Sequence, residues 1–586
     1  MGRFNIEQVV GRSSLSLLLL GFLACQGPEA EVEYADLVLT GGRVVTVDER
    51  YPESEALAIR GAVIMELGTD SEIETLVGPA TEIIDLGGRL AIPGFIEGHG
   101  HFMGLGNALT ILDLTKASNW DEIVSMVEEA VAGAEPGAWI LGRGWHQEKW
   151  SSPPEPTVEG SPVHHSLSSA SPDNPVLLGH ASGHAAFANQ RAMDIAGLTP
   201  DSEPPAGGEL VRDERGELTG LLRETAQRPV WAEVERDRSG RTAEQHEAEE
   251  RRLVELAGGE ALSKGITSFH DAGASFETID FFKQLEEEGS LPVRLYVMVR
   301  HESNELMDEL LAAYRMLAEE NDFLTVRSIK RQIDGALGAH GAWLLEPYED
   351  LPESIGLVLE PEEEIRQTAR IALKHGFQVN THAIGDRANR RVMDIYEEVF
   401  GESDKMSDLR WRVEHAQHLH PDDVPRFTEL GLIASMQGIH CTSDGPWVLK
   451  RLGETRAANG AYLWRELIDS GAVVTNGTDV PVEDIDPIAS FYASVTRRMP
   501  NGEDFYPEHR MSREEALRSY TLNNAYAAFE EESKGSLEVG KLADIVVLSQ
   551  DIMTIAEDDI PGTRVDYTIV GGEVRFARGE EKVEGR

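Results

Sequence analysis

Between residues 90 and 475 short apolar runs recur, and stretches with helical hydrophobic spacing separate them. Eight runs read as strands: Leu90–Phe95, Gly265–Phe269, Val293–Val299, Leu324–Ile333, Phe377–Asn380, Trp411–Val413, Leu432–Met436 and Ala472–Thr475. Strands that alternate with helices lie parallel, because a parallel neighbour is reached only through a crossover. Eight such units predict an α/β fold, a (β/α)8 barrel whose chemistry sits where the strands run into the following loops. Two β-rich ends flank this middle. Asp36–Val47 reads as a hairpin around Gly41-Gly42, and Ala543–Leu548 with Asp566–Gly572 repeats the pattern at the far end. Paired with each other, the ends predict a small β-sandwich from residues 35–88 and 531–580, with the barrel (89–530) inserted into it. The gap between the first two strands is far too long for one crossover. Its own punctuation, Gly142-Arg143-Gly144-Trp145 and Gly207-Gly208-Glu209, predicts an inserted subdomain over 104–263, a lid over the barrel mouth.

Lys+Arg number 53 against 103 Asp+Glu, a net charge of −50. Such a surface repels nucleic acid and anionic membranes. Arg3 and Arg12 precede an apolar run, Leu15 to Ala24, which is too short to span a bilayer and matches the core of a secretion signal. Its end, Phe22-Leu23-Ala24-Cys25, resembles a bacterial lipobox. Residues 1–24 are therefore expected to be a lipoprotein signal peptide, Cys25 the lipidated first residue and 25–34 a tether, with the protein exported to the cell envelope. The other reading is a simple secretory signal with a chance cysteine. With Cys25 lipidated only Cys441 remains, so no intramolecular disulfide can form.

The stretch Pro93-Gly94-Phe95-Ile96-Glu97-Gly98-His99-Gly100-His101-Phe102 ends the first strand. Histidines spaced i, i+2 share one side of an extended chain, and Gly98 and Gly100 leave room for a close approach to the backbone. Alone, this motif could be two turn histidines. The other strand ends add Lys330, His382, His415 and Asp479, residue types that suit a borderline cation such as zinc. Each has a plainer alternative: a structural histidine, a helix cap for Asp479, an exposed lysine for Lys330. All of these would have to hold together for the site to be illusory.

The chain resembles the amidohydrolase superfamily, specifically amidohydrolase family 3 and its YtcJ-like branch. The matching segments include PGFIEGHGHF (93–102), GRGWHQEKW (142–150), GHASGHAAFAN (179–189), GELTGLLRETA (216–226), IKRQIDGALGAHGAWL (329–344), VNTHAIGDRANR (379–390), RVEHAQHL (412–419), NGTDVPVE (476–483) and KGSLEVGKLADIVVL (534–548). The resemblance implies one or two divalent ions, zinc by preference. His99 and His101 would hold the more buried ion, His382 and His415 the more exposed one. Lys330 aligns with a lysine that CO₂ carboxylates into a bridge between two metals, and Asp479 with a ligand that is also the general base. Glu97 stands where an Asp is usual, Gly438-Ile439 replaces a Pro-Thr before His440, and Arg331 and Gln332 are more polar than their counterparts.

The resulting expectation is a metal-dependent hydrolase that cleaves a non-peptide, amide-like C–N bond of a small molecule. An esterase or lactonase with the same site, and a non-catalytic binding lipoprotein, are the rival readings. Trp145, His270 and His440 are candidates for contact with the substrate or the ligands, with a structural role equally open for each. The expected partners are a small-molecule substrate, the membrane through the lipid anchor alone and, left open, a second copy of the chain.

Overall fold

The computed structural model describes residues 33–318, 323–402 and 408–579. The expected signal peptide, Cys25 and most of the expected tether lie outside these residues. No described helix is long and apolar enough to cross a membrane.

Eight strands make the central sheet: β1 (Phe95–Gly100), β2 (Ile266–Ala274), β3 (Arg294–Val299), β4 (Leu324–Gln332), β5 (Gln378–Ala383), β6 (Arg412–His415), β7 (Ile433–Gln437) and β8 (Val473–Gly477). They pair in chain order and every pair is parallel. β3 is buried along its whole length, as a parallel strand covered on both faces must be. Local chemistry starts and stops the outer helices. The Ser275 hydroxyl accepts from the Thr278 N–H at the start of Phe276–Glu287, and Ser303 does the same for Asn304–Tyr314. Glu362–His375 has three glutamates in its first turn, where the helix dipole favours negative charge, and ends on Gly376 at φ +74°.

The seam between β1 and β8 closes the barrel through single bonds. The Asn524 side-chain amide donates to the Ile96 carbonyl (2.7 Å) and the Asn476 carbonyl (2.8 Å). The Thr478 N–H donates to Glu97 Oε1 (2.5 Å), which gives the unusual Glu97 a role in the barrel wall. At the rim, the Asp479 N–H donates to the His99 carbonyl and the His101 N–H to the Val480 carbonyl, both at 2.8 Å. A Cβ on Gly98 would lie 2.4 Å from the Asn476 carbonyl oxygen, and one on Gly477 2.6 Å from Glu97 Oε1. Of the two glycines read as space for a close approach, Gly98 admits strand eight itself, whereas Gly100 lies against Phe269, whose Cζ would be 2.6 Å from a Cβ there.

Two elements differ from the sequence reading. Leu90–Pro93 is not the start of the barrel: it pairs with Arg43–Val45 and, antiparallel, with Ile545–Leu548. The Pro93-Gly94 break separates it from β1, which begins at Phe95 and so carries His99 on the strand itself. Leu37–Thr40 and Arg43–Val45 form no hairpin. Gly41-Gly42 turns a corner between two sheets, one ordered Val63–Gly68, Ala56–Arg60, Leu37–Thr40, Glu82–Asp85 and the other running from Glu573–Ala577 through Val565–Val570, Ile545–Leu548 and Leu90–Pro93 to Arg43–Val45 and Glu53–Ser54. Leu39, Leu57, Ile59, Val547 and Ile569 are among the side chains buried in the sandwich core. A buried ion pair joins sandwich to barrel, with Arg294 Nε 2.8 Å from Asp544 Oδ2.

After β1, residues 112–224 form a separate six-stranded sheet that runs from Gly208–Arg212 to Leu112–Asp113, with its own apolar clusters around Trp120, Phe187 and Leu222. The helix Ala243–Ser263 then returns the chain to the barrel, where Val254, Ala257 and Ala261 join the main core.

Candidate metal centre

The rim of the barrel gathers the residues that the strand ends supplied. His99 and Lys330 lie on β1 and β4, His382 on β5 and His415 at the end of β6, with His101 just beyond β1 and Asp479 just beyond β8. Strand register sets their height: Gln332 pairs with His382, and Ala383 with His415. The His415 ring centroid is 4.7 Å from that of His99 and 4.5 Å from that of His382. Asp479 Oδ1 faces His101 Nε2 at 3.3 Å and His99 Nε2 at 3.7 Å, while its Oδ2 faces His440 Nε2 at 3.6 Å. Lys330 Nζ is 3.2 Å from His99 Nε2. All are buried except His101, whose side chain keeps 31% of its exposure.

Neighbouring groups orient these side chains. Glu414 contacts His99 Nδ1 and so leaves the lone pair on Nε2, the nitrogen that faces Lys330 Nζ; Gln437 Oε1 lies 2.8 Å from His415 Nδ1 and leaves the lone pair of that ring on Nε2. His415 (φ +75°), Ala416 (φ +44°) and Asp479 (φ +58°) occupy the left-handed region, strain of the kind that collects at functional sites. The left-handed turn at His415 ends the strand alternation, so adjacent Glu414 and His415 both reach His99. Burial pushes His99 down to about 4 and His382 and His415 well below the usual imidazole value, so these rings are neutral. Burial works against the Asp479 charge, yet the His101 and His440 contacts hold its carboxyl well below the ordinary range. Burial also brings Lys330 down to about 8.

The donors fit a divalent cation. Asp479 Oδ1 and His382 Nε2 are buried with no hydrogen-bond partner, which is costly for polar atoms unless something occupies their lone pairs. One set of donor atoms, from His99, His101 and Asp479, lies within 4.8 Å, and a second, from His415, His440 and Asp479, does too. The second set contains His440 where the family resemblance names His382; His382 Nε2 instead sits 3.5 Å from Asp334 Oδ1. Burial opposes a charge on His440, but Asp479 and Glu483 raise it to about 10, so it ligates only if a cation displaces its proton. Imidazole nitrogens with a carboxylate oxygen are a donor set that zinc takes in catalytic sites and that iron, nickel and copper also accept.

Two spaces meet at this cluster. A chamber of about 850 Å³ is lined by His99, His101, Lys330 and Asp479 on one side and by lobe residues Arg143, His184 and Glu224 on the other. A slot of about 50 Å³ lies past His382 and His415, against Leu337, His440 and Trp447. Trp145 is not brought to either: its indole N–H donates to the Leu178 carbonyl inside the lobe (2.8 Å). His270 is fully buried, with Nδ1 3.2 Å from Arg412 Nη1.

Three residues without an assigned role stand out in the structure. His184 Nδ1 is 2.9 Å from Glu224 Oε2, and its ring lies 5.4 Å from His382. Asp334 accepts from the Trp343, Ile384 and Gly385 N–H groups, at 2.8, 3.0 and 2.8 Å, and fixes the loop after β5. All three lie within segments that carry the family resemblance, but only the folded lobe shows that His184 and Glu224 reach the barrel mouth.

The amidohydrolase family model matches residues 82–576. The chain is 34% identical to the protein LONG AFTER FAR-RED 3 of Arabidopsis thaliana, over 92% of this chain and 91% of that one. It is 28% identical to the putative amidohydrolase YtcJ of Bacillus subtilis (92% and 99%) and 27% identical to an N-substituted formamide deformylase of Arthrobacter pascens (93% and 98%). Among solved structures, an uncharacterized metal-dependent hydrolase from Pyrococcus furiosus superimposes with a TM-score of 0.67 at 28% identity, covering 88% of this chain and all of that one.

Proposed function

We infer the activity from one premise: this chain belongs to the amidohydrolase family, and it is a metal-dependent hydrolase by that membership. We propose that it cleaves an amide-like, non-peptide C–N bond of a small molecule. The observation that carries this reading is the convergence of His99, His101, His382, His415, Lys330 and Asp479 at one rim, with Glu414 and Gln437 presetting two of the rings.

His99, His101, His382, His415 and Asp479 would hold one or two divalent ions, zinc by its donor chemistry. When bound, such an ion acts as a Lewis acid toward the carbonyl and lowers the pKa of water to near 7. The Asp479 carboxylate takes the proton of the attacking water and returns it to the leaving nitrogen as the C–N bond breaks and the C–O bond forms. Products are a carboxylic acid and an amine. Burial brings the Lys330 ammonium down to about 8, which raises the share of free amine, the form that CO₂ adds to, and Lys330 would be carboxylated by that addition.

Substrate size follows from the spaces. We place a short acyl half in the slot of about 50 Å³ and the amine half in the chamber of about 850 Å³. The relative named as an N-substituted formamide deformylase has such an asymmetric substrate.

The test is turnover by zinc-loaded protein of N-formyl, N-acetyl and N-benzoyl derivatives of one amine, beside the matching esters. Formamide or acetamide cleavage that falls by more than tenfold at benzoyl is expected. Asp479→Asn should lower kcat by at least about 10³-fold with folding intact. Lys330→Ala should lose metal and recover part of it with added propionate. Hydrolysis confined to esters, or bound zinc with no turnover anywhere, would refute the C–N reading.

A further inference from the structure

One helix makes a long wall of the slot. Gly438–Gly460 follows β7 and presents His440, Asp444 and Trp447 to the slot. Their spacing, i, i+4 and i+7, puts all three on one stripe of the helix. His440 begins the stripe beside Asp479, with Nε2 3.6 Å from Oδ2. Asp444 follows one turn on and accepts the Tyr462 hydroxyl at 2.8 Å. Seven residues advance a helix by about 10 Å, so Trp447 stands at the far end of the stripe, two turns from the cluster.

Trp447 is wedged there from three sides. Its Cη2 faces Gly338 on the loop after β4, where a Cβ would lie 3.1 Å away. From the lobe, the His146 ring approaches to 5.8 Å between centroids. From the next turn of the helix, the Arg451 guanidinium sits 5.9 Å from the ring and is itself fixed by the Gly338 carbonyl (3.0 Å) and by Asp350. The residue is 5% exposed, and its indole N–H has no hydrogen-bond partner among the described residues. No hydrogen bond of the fold therefore calls for tryptophan here. What the side chain supplies is a large flat surface held in one position.

We propose that Trp447 is the end wall that sets the length of the acyl group and restricts it to formyl and acetyl. The inference rests on the reading that places the acyl half in the slot. A wall wedged on three sides gives a sharp cut-off: one methylene too many in a close-fitting pocket is worth about 10–200-fold in kcat/KM, because admitting it would displace packed side chains. His440 and Asp444, nearer the cluster, border the slot along its side, so enlarging the space at Trp447 lengthens it without touching the cluster.

The experiment measures kcat/KM for the formyl, acetyl, butanoyl and benzoyl amides of 2-phenylethylamine, whose bulk confines the amine half to the chamber. Zinc-loaded wild type, Trp447→Phe and Trp447→Leu are compared. Wild type should fall at least tenfold from acetyl to butanoyl. Trp447→Phe should recover butanoyl, and Trp447→Leu should raise benzoyl cleavage at least tenfold in absolute terms, a gain that damage to the fold cannot produce. A smaller gain in the leucine variant, or wild type that cleaves benzoyl as fast as acetyl, overturns the proposal and leaves the C–N reading standing. Calorimetric titration with N-(2-phenylethyl)methanesulfonamide and N-(2-phenylethyl)benzenesulfonamide gives an arm that needs no turnover. Binding of the methyl compound at least tenfold tighter in wild type, with the gap closed in Trp447→Leu, supports the end wall even if no amide is cleaved. A gap absent from wild type, or unchanged in the variant, sinks it even if amides are cleaved. Melting curves for each variant, with Trp447→Phe keeping an aromatic ring against Gly338, cover the case in which the leucine variant fails to fold.

Discussion

Asn524 is the side chain on which barrel closure rests most heavily. Its amide spans the seam, donating to Ile96 on β1 and Asn476 on β8 at 2.7 and 2.8 Å, and it is fully buried. Asn524→Ala removes both bonds and leaves two carbonyl oxygens facing a hole that the deleted amide occupied. A buried polar group stripped of its partner costs roughly 1–3 kcal/mol, so the pair predicts a loss of about 2–6 kcal/mol in unfolding free energy. Asn524→Asp should be worse than alanine although it fills the space, because a carboxylate pointed at two carbonyl oxygens adds repulsion. The same seam holds the Asp479 N–H on the His99 carbonyl, so metal affinity should fall along with stability. Urea unfolding of metal-free and zinc-loaded protein measures the first effect, and competition with a chromophoric chelator the second. A loss below 1 kcal/mol in Asn524→Ala, or an aspartate variant as stable as wild type, would show that the β1–β8 strands close without this bridge.

Two further outcomes follow from the charged pairs. Glu414→Gln keeps the size of the group on His99 Nδ1 and removes its charge, which predicts about 10–100-fold weaker zinc binding by chelator competition with little change in melting temperature. Asp544→Asn breaks the buried pair with Arg294 and should cost about 3–5 kcal/mol at pH 7. The Asp544 carboxyl sits below its ordinary value because the Arg294 charge and the Gly571 N–H outweigh the penalty of burial. Its contribution is therefore complete above the unfolded value near 4 and is lost as the pH falls through the lower folded value. Unfolding curves of wild type and Asp544→Asn should accordingly converge in acid; a gap that persists or widens there would contradict the assigned sign.

What the sequence could show divides along a physical line. Parallel strands buried on both faces are read from apolar runs alone, so seven of the eight barrel strands and the pairing of the two β-rich ends were legible. Chemistry placed directly on those strands, His99, Lys330, His382 and His415, was legible with them. Where the reading slipped, the cause was a break in backbone geometry. Leu90–Pro93 is as apolar as β1, and only three-dimensional pairing shows that Pro93-Gly94 hands the chain from the sandwich to the barrel. Gly41-Gly42 can close a hairpin or turn a corner, and hydrophobic pattern does not distinguish them. Glu414 next to His415 should point away from it by strand alternation, and the left-handed φ of His415 cancels that rule. Arg143, His184 and Glu224 were hidden for another reason: residues far apart in sequence and on a separate sheet meet the barrel only through docking of the lobe. That docking supplies one wall of the chamber, so the candidate metal ligands belong to the barrel, whereas the groups that line the chamber are shared with the lobe. It follows that relatives with the same rim and a different lobe sheet should keep the chemistry and change the substrate.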